Sequence, residues 1–128
     1  RECKWQPFRN FYVNGTPYGG MIGSAKGLIR YAQVLLDKTY PLLDEAHWKI
    51  LFTEARAAGQ LTGMSLSWFT GTLKGNQYYA HAGGGGGYYV ELRLYPELGV
   101  GSVVLNNRTG MRDERMLDKT DEYFLTEK

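Results

Sequence analysis

The spacing of apolar residues changes midway along the chain, from helical in the first half to alternating in the second. Behind Ser24, the residues Leu28, Ala32, Leu35 and Leu36 fall at i, i+4, i+7 and i+8. That pattern predicts one amphipathic helix of about three turns with the serine as its N-cap, ended at the latest by Pro41. Asp44 predicts a second N-cap, with Leu43 placed to staple onto Trp48. Trp48, Leu51, Phe52 and Ala55 form its apolar stripe, and Gly59 reads as the glycine just past its end. From Met64 onward the period is two. Met64, Leu66 and Trp68 alternate with Ser65, Ser67 and Phe69, Lys74-Gly75-Asn76 is a turn signal, and Gln77 to His81 pairs back as a hairpin. Val90, Leu92 and Leu94 alternate with Glu91, Arg93 and Tyr95, Pro96 to Gly99 makes a turn, and Val100 to Leu105 is a nearly continuous apolar strand. In the charged segment from Met111 to Lys128, the residues Met116, Thr120, Tyr123 and Phe124 return at helical spacing. The expected fold is α+β: two short helices, an antiparallel sheet of three to four strands, and a C-terminal helix packed on the sheet. Residues 1–20 read as irregular or hairpin-like around Asn14-Gly15.

Composition narrows the classes of function. With 128 residues the chain is expected to be a single domain, 1–128, with 43% hydrophobic and 22% charged residues, ordinary globular values. The net charge of +2 is small and scattered, which argues against a nucleic-acid partner. No apolar run approaches the roughly 18 residues of a membrane span. The one cysteine, Cys3, allows no intrachain disulfide and leaves the compartment open. The first residue is Arg1 and not Met, so the chain is expected to have been trimmed, cleaved or excised from something longer. Ten tyrosines are in excess; they suit half-buried strand surfaces, the alternative being an aromatic platform for a sugar or single-stranded nucleic acid.

Candidate chemistry starts at the glycine run Gly83 to Gly87. A phosphate-cradling loop needs a helix after it, and here a strand pattern follows with no Gly-Lys-Ser/Thr, so nucleotide binding through this loop is not expected. A strand connection whose backbone must be approached closely fits better. Cys3, His47 and His81 have no paired spacing, so neither a metal site nor any other cofactor is expected. His47, in the first turn of a helix, reads as a surface residue. His81 ends a strand beside five glycines, which makes it either a satisfied strand-end histidine or the imidazole wall of a site opening over the glycines.

Five segments in order carry a resemblance: Gly19-Gly20-Met21-Ile22-Gly23-Ser24-Ala25; Leu66-Ser67-Trp68-Phe69; His81-Ala82-Gly83-Gly84; Glu91-Leu92-Arg93-Leu94-Tyr95-Pro96-Glu97; and Val103-Val104-Leu105-Asn106-Asn107-Arg108. From about Gly19 to Arg108 the chain resembles the C-terminal part of the β-lactamase-related serine hydrolases, the penicillin-binding-protein-like group of class C β-lactamases, DD-peptidases and esterases. In that family the third active-site motif is Lys-Thr-Gly or His-x-Gly on a strand edging the cleft, and His81-Ala82-Gly83 matches the second form. The resemblance implies that His81 shapes the electrostatics of the site and that Gly83 lets substrate approach the strand. Ala82 and Gly85 would line the substrate with Gly83, and the Gly84 N–H would be one of two oxyanion-hole donors.

The departures matter as much. The family's nucleophile is the serine of Ser-x-x-Lys, and no such motif occurs here; Ser24-Ala25-Lys26 is one residue short and its serine serves as a cap. Tyr12-Val13-Asn14 spells the family's Tyr-x-Asn but lies five residues before Gly19, far too close, and reads as a coincidental turn. Lys119-Thr120-Asp121 imitates Lys-Thr-Gly but falls on a predicted helix. Gly27 stands where the family usually has an acidic residue completing the capping box. The chain alone is therefore expected to be inactive. It reads either as the C-terminal segment of a complete hydrolase acting on small-molecule esters or amides, its partner being the missing N-terminal part, or as a catalytically dead module forming a homodimer through its sheet edge. A Tyr-rich carbohydrate or peptide binder unrelated to hydrolases is the third reading.

Overall fold

The computed structural model describes residues 19–37, 42–108 and 116–125, and the change of period is visible in it as helices followed by sheet. Helix α1 spans Ala25–Leu36 and helix α2 spans Glu45–Leu51. A two-stranded hairpin follows, β1 (Arg56–Ala57) with β2 (Gln60–Leu61). Strands β3 (Phe69–Leu73), β4 (Asn76–Gly85), β5 (Tyr88–Tyr95) and β6 (Val100–Asn106) form one antiparallel sheet in the order β3-β4-β5-β6, and α3 (Met116–Asp121) ends the described fold. The class is α+β, as the residue pattern predicts. Cys3, Tyr12 to Gly15, Pro41 and Met111, on which the sequence places expectations, lie outside the described residues.

Local chemistry explains the helix starts. Ser24 Oγ accepts from the Gly27 N–H at 3.1 Å, and Asp44 Oδ1 accepts from the His47 N–H at 2.8 Å. His47 also brings Nδ1 within 2.7 Å of the same carboxylate oxygen, and its side chain is exposed. The backbone N–H of His47, then its ring, hold the Asp44 carboxyl below its ordinary value. The Trp48 indole donates to the Leu35 carbonyl at 2.9 Å, which satisfies one of the last acceptors of α1 and locks α2 against it.

Helix α2 is shorter than its apolar spacing predicts. It caps at Phe52, and Ala55 is exposed, pairing its N–H with the Met64 carbonyl at 2.7 Å. Gly59 is not a helix stop. Ala58 and Gly59 both have positive φ, 50° and 81°, the backbone of a two-residue hairpin turn between β1 and β2. The expected strand over Met64 to Phe69 is replaced by a turn in which the Ser65 N–H donates to the Trp68 carbonyl at 2.8 Å and Ser67 has φ 75°. Alternation fails there: Ser65 and Trp68 are buried, whereas Met64 and Leu66 are exposed. Lys74-Gly75 and Pro96 to Gly99 make the predicted turns, with φ 47° and 74° at the first and 65° at Gly99.

The sheet has two different faces. On one, Tyr79, Leu92 and Leu94 pack with Ala32 and Leu35 of α1, Phe52 and Trp68; Leu28, Leu36, Trp48, Leu51 and Val103 border them. The Phe52 ring meets Trp48 at 4.9 Å and Tyr79 at 5.0 Å, and the Tyr79 hydroxyl donates to the Phe52 carbonyl. The other face, which carries the alternate positions of β5, is buried as well. Glu91, Arg93 and Tyr95 are 0%, 1% and 0% exposed beneath α3. Arg93 reaches Glu91 Oε1 at 2.9 Å and Asp118 Oδ1 at 2.6 Å, and its guanidinium lies 4.1 Å from the centre of the Tyr78 ring. Asp121, also fully buried, accepts from the Tyr95 and Ser102 hydroxyls at 2.8 Å each. Burial pushes the Glu91 carboxyl up against the opposing pull of Arg93.

Helix α3 is the predicted C-terminal helix, rotated relative to the predicted stripe. Leu117, Asp121 and Leu125 face inward, whereas Tyr123 is 92% exposed and Phe124 about half exposed. The carboxylate of Asp121 wins the inward position because two hydroxyls and a cation wait for it there. Lys119-Thr120-Asp121 lies on this helix.

Candidate functional site

Turn geometry decides which way the backbone of β4 faces. The two-residue loop Lys74-Gly75 is closed by the pair Leu73↔Asn76, and in such a hairpin the closing residues exchange hydrogen bonds with each other. Alternation then directs the N–H and C=O of Asn76, Tyr78 and Ala80 toward β3. The two-residue loop at the other end, closed by Gly85↔Tyr88, requires Gly85, Gly83 and His81 to face β5. Both ends agree, so Ala82 and Gly84 project their backbone groups toward the β3 side. The β3 pairing stops at Phe69↔Ala80. Beyond it, Ala82 and Gly84 face an open edge with no strand beside them among the described residues.

The glycine run is therefore not a loop. Gly83, Gly84 and Gly85 continue β4 in register with Val90, Tyr89 and Tyr88, and the chain reverses through Gly86 and Gly87, the latter at φ 110°. A side chain added at Gly83 would meet nothing within 4 Å. One added at Gly85 would collide with the Tyr88 ring at 2.8 Å.

His81, Gly83 and Gly85 share the face that carries Tyr79 further down the strand, by the period of two. His81 is exposed, and its ring centre lies 5.9 Å from that of Phe69. The structure thus brings together all five residues singled out in the sequence, with His81, Gly83 and Gly85 on the face and Ala82 and Gly84 offering backbone groups along the edge. Sequence reasoning named Phe69 only as part of a motif and did not single out Tyr88, which stands 42% exposed at the far end of the strip. Its signal was the glycine opposite it. In the turn before β3, Ser65 Oγ and Trp68 Nε1 are buried with no hydrogen-bond partner among the described residues.

The arrangement supplies outward-facing backbone donors and acceptors, an imidazole and an unobstructed glycine surface. Ser24, of the Ser24-Ala25-Lys26 segment, lies at the start of α1, where its hydroxyl accepts from the Gly27 N–H at 3.1 Å. Two clefts lie elsewhere. One of about 330 Å³ lies between the end of α1 and the start of α2, around Leu35 and Trp48; the other, of about 380 Å³, lies between α1 and β6, around Leu36 and Gly101. Neither is lined by a residue of the His81 to Gly85 strip. Among the described residues no group of three or more His, Cys, Asp or Glu is placed to hold a metal ion, and no helix is long and apolar enough to cross a membrane.

In comparison with protein families, the chain matches the model described as Beta-lactamase over residues 2–123. The match extends beyond both ends of the Gly19 to Arg108 stretch that carries the sequence resemblance. Neither the curated proteins nor the solved structures yield a match.

Proposed function

From its membership of the β-lactamase family, which the match over residues 2–123 shows, we propose that the chain is the C-terminal segment of a β-lactamase-like serine hydrolase and contributes one wall of its active site. The observation that carries this reading is the open edge of β4. The outward direction of the Gly84 backbone supports an oxyanion role, because a fixed N–H aimed at developing charge stabilises an acyl-transfer transition state by a few kcal/mol. His81, exposed on the adjoining face, sets the electrostatics at the substrate. Gly83, with empty space where a side chain would stand, lets the acyl group lie against the strand. The nucleophile and its base come from an N-terminal part bearing Ser-x-x-Lys and Tyr-x-Asn, which completes the cleft over this open surface. The 128-residue chain alone is inactive, and its substrates are small esters or amides in the complete protein.

Substitution of His81 and Gly83 tests the reading. In the complete protein, His81→Ala and Gly83→Ala each lower ester turnover at least tenfold and leave the thermal midpoint within about 2 °C, because His81 is exposed and a side chain at Gly83 meets nothing within 4 Å. Unchanged turnover in both variants would remove these residues from the site. The second reading is a catalytically dead module that self-associates, and one feature favours it: β6 is an edge strand with no charged residue and no proline from Val100 to Asn106. A concentration-independent monomer mass excludes it.

A further inference from the structure

We propose that Tyr88 is a specificity-determining residue of this site and that it selects substrates carrying an aromatic ring; the inference rests on the hydrolase reading above. The strip from His81 to Gly85 spans four strand steps, about 13 Å, with the uncovered Gly83 as its floor. An aromatic side chain stands at each end. Phe69 lies 5.9 Å from His81 at one, and Tyr88 lies against Gly85 at the other.

The position of the Tyr88 ring is set by what it covers. Its Cε1, Cζ and Oη atoms all come within 2.8 Å of the point where a Gly85 side chain would begin. The ring therefore lies across β4, with its hydroxyl end over Gly85, next to the edge where Gly84 offers its backbone. Absence of a side chain at Gly85 is what permits this pose.

A second tyrosine–glycine pair in the same sheet shows what a purely structural version looks like. Tyr78 crosses to Gly71, whose side-chain position its ring occupies, but Tyr78 is itself covered: Arg93 stacks on it at 4.1 Å and Tyr95 meets its edge at 5.9 Å. Tyr88 has the same cross-strand geometry, and among the described residues no ring or cation stacks on it. It is 42% exposed, and its hydroxyl has no hydrogen-bond partner among the described residues. A flat glycine surface ended by exposed ring faces and edges matches a planar apolar group, which gains edge-to-face contacts that a short aliphatic group does not.

The test uses the complete protein that carries this chain with its Ser-x-x-Lys part, and compares hydrolysis of a phenylacetyl ester with that of the matching acetyl ester. The wild type prefers the phenylacetyl ester. In Tyr88→Ala the ratio of kcat/KM between the two esters falls about tenfold, mostly through KM. Gly85→Ala displaces the ring and lowers the same ratio. His81→Ala lowers both rates and leaves the ratio where it was, as general damage to the site does. A ratio unchanged in Tyr88→Ala and Gly85→Ala, in a protein that turns both esters over, overturns this inference and leaves the hydrolase reading standing. Turnover of neither ester by the wild type overturns both.

Discussion

Replacing Arg93 with methionine removes the cation that, among the described residues, pairs with Glu91, Asp118 and Asp121. The wild-type guanidinium is 1% exposed and binds Glu91 at 2.9 Å and Asp118 at 2.6 Å, with Asp121 Oδ2 at 3.8 Å. At an effective dielectric constant near 20, a pair of unit charges 2.9 Å apart attract by about 6 kcal/mol, most of which offsets the cost of taking both out of water. Methionine fills a similar volume, so the loss is not a cavity. What remains is Glu91 and Asp121, both fully buried, without the cation that each ion-pairs with among the described residues. Stranding buried partners in this way costs about 3–5 kcal/mol. Loss of the stack on Tyr78 places the expectation in the upper part of that range. A domain of this size is stable by roughly 5–15 kcal/mol, so the effect is a large share of the whole. Urea unfolding at pH 7 measures it as a shift of midpoint at constant slope.

The pH dependence separates charge from packing in the same variant. Burial already raises the Glu91 pKa above its ordinary value against the pull of Arg93, and without Arg93 it climbs further. A carboxyl whose folded pKa is raised contributes stability that is full below its unfolded pKa and lost as pH rises through the folded one. The deficit of Arg93→Met is therefore smaller at pH 5 than at pH 7. A deficit under about 1 kcal/mol at pH 7, or one equal at both pH values, refutes the assignment of this cluster as the charged clamp between α3 and the sheet.

Two further stability predictions come from single contacts. A Cβ at Gly27 would sit 3.5 Å from Ser24 Oγ, an ordinary contact, so Gly27→Ala keeps the cap and stabilises α1 by about 0.5–1 kcal/mol, seen as a higher thermal midpoint. Tyr79→Phe deletes the hydroxyl that donates to the Phe52 carbonyl and costs about 1–2 kcal/mol. Burial, then Glu54 and Glu97, raise the Tyr79 pKa, so the stability its protonated form lends is complete below the usual tyrosine value of about 10. That stability is lost as pH rises through the higher folded value, and alkaline unfolding of the variant lacks this step.

Much of the frame was legible in the residues themselves. Ser24 and Asp44 cap because a short oxygen-bearing side chain reaches the backbone N–H three residues on, and that needs no tertiary context. The Lys74-Gly75 and Pro96 to Gly99 turns, the change of period, and the grouping of His81 with Gly83 and Gly84 depend likewise on neighbours in sequence. So does the family resemblance, which rests on the order of five short motifs.

Other features depend on what packs against them. Alternation in β5 distinguishes two faces but not whether the second is wet, and the arrival of α3 from more than 20 residues downstream buries Glu91, Arg93 and Tyr95 together. Met116, Thr120, Tyr123 and Phe124 are as helically spaced as Leu117, Asp121 and Leu125. The latter set turns inward because Asp121 finds the Tyr95 and Ser102 hydroxyls there. Ala55 joins the α2 stripe by spacing and leaves it because Met64 offers its backbone a partner. The open edge at Ala82 and Gly84 is a matter of register: it exists because β3 is shorter than β4, and the pose of Tyr88 exists because a glycine lies across the pair from it. Local sequence sets the dihedral preferences and the period of each element. Which face is buried, which edge is left open and which charge finds a partner are long-range facts, decided when elements distant in the chain meet.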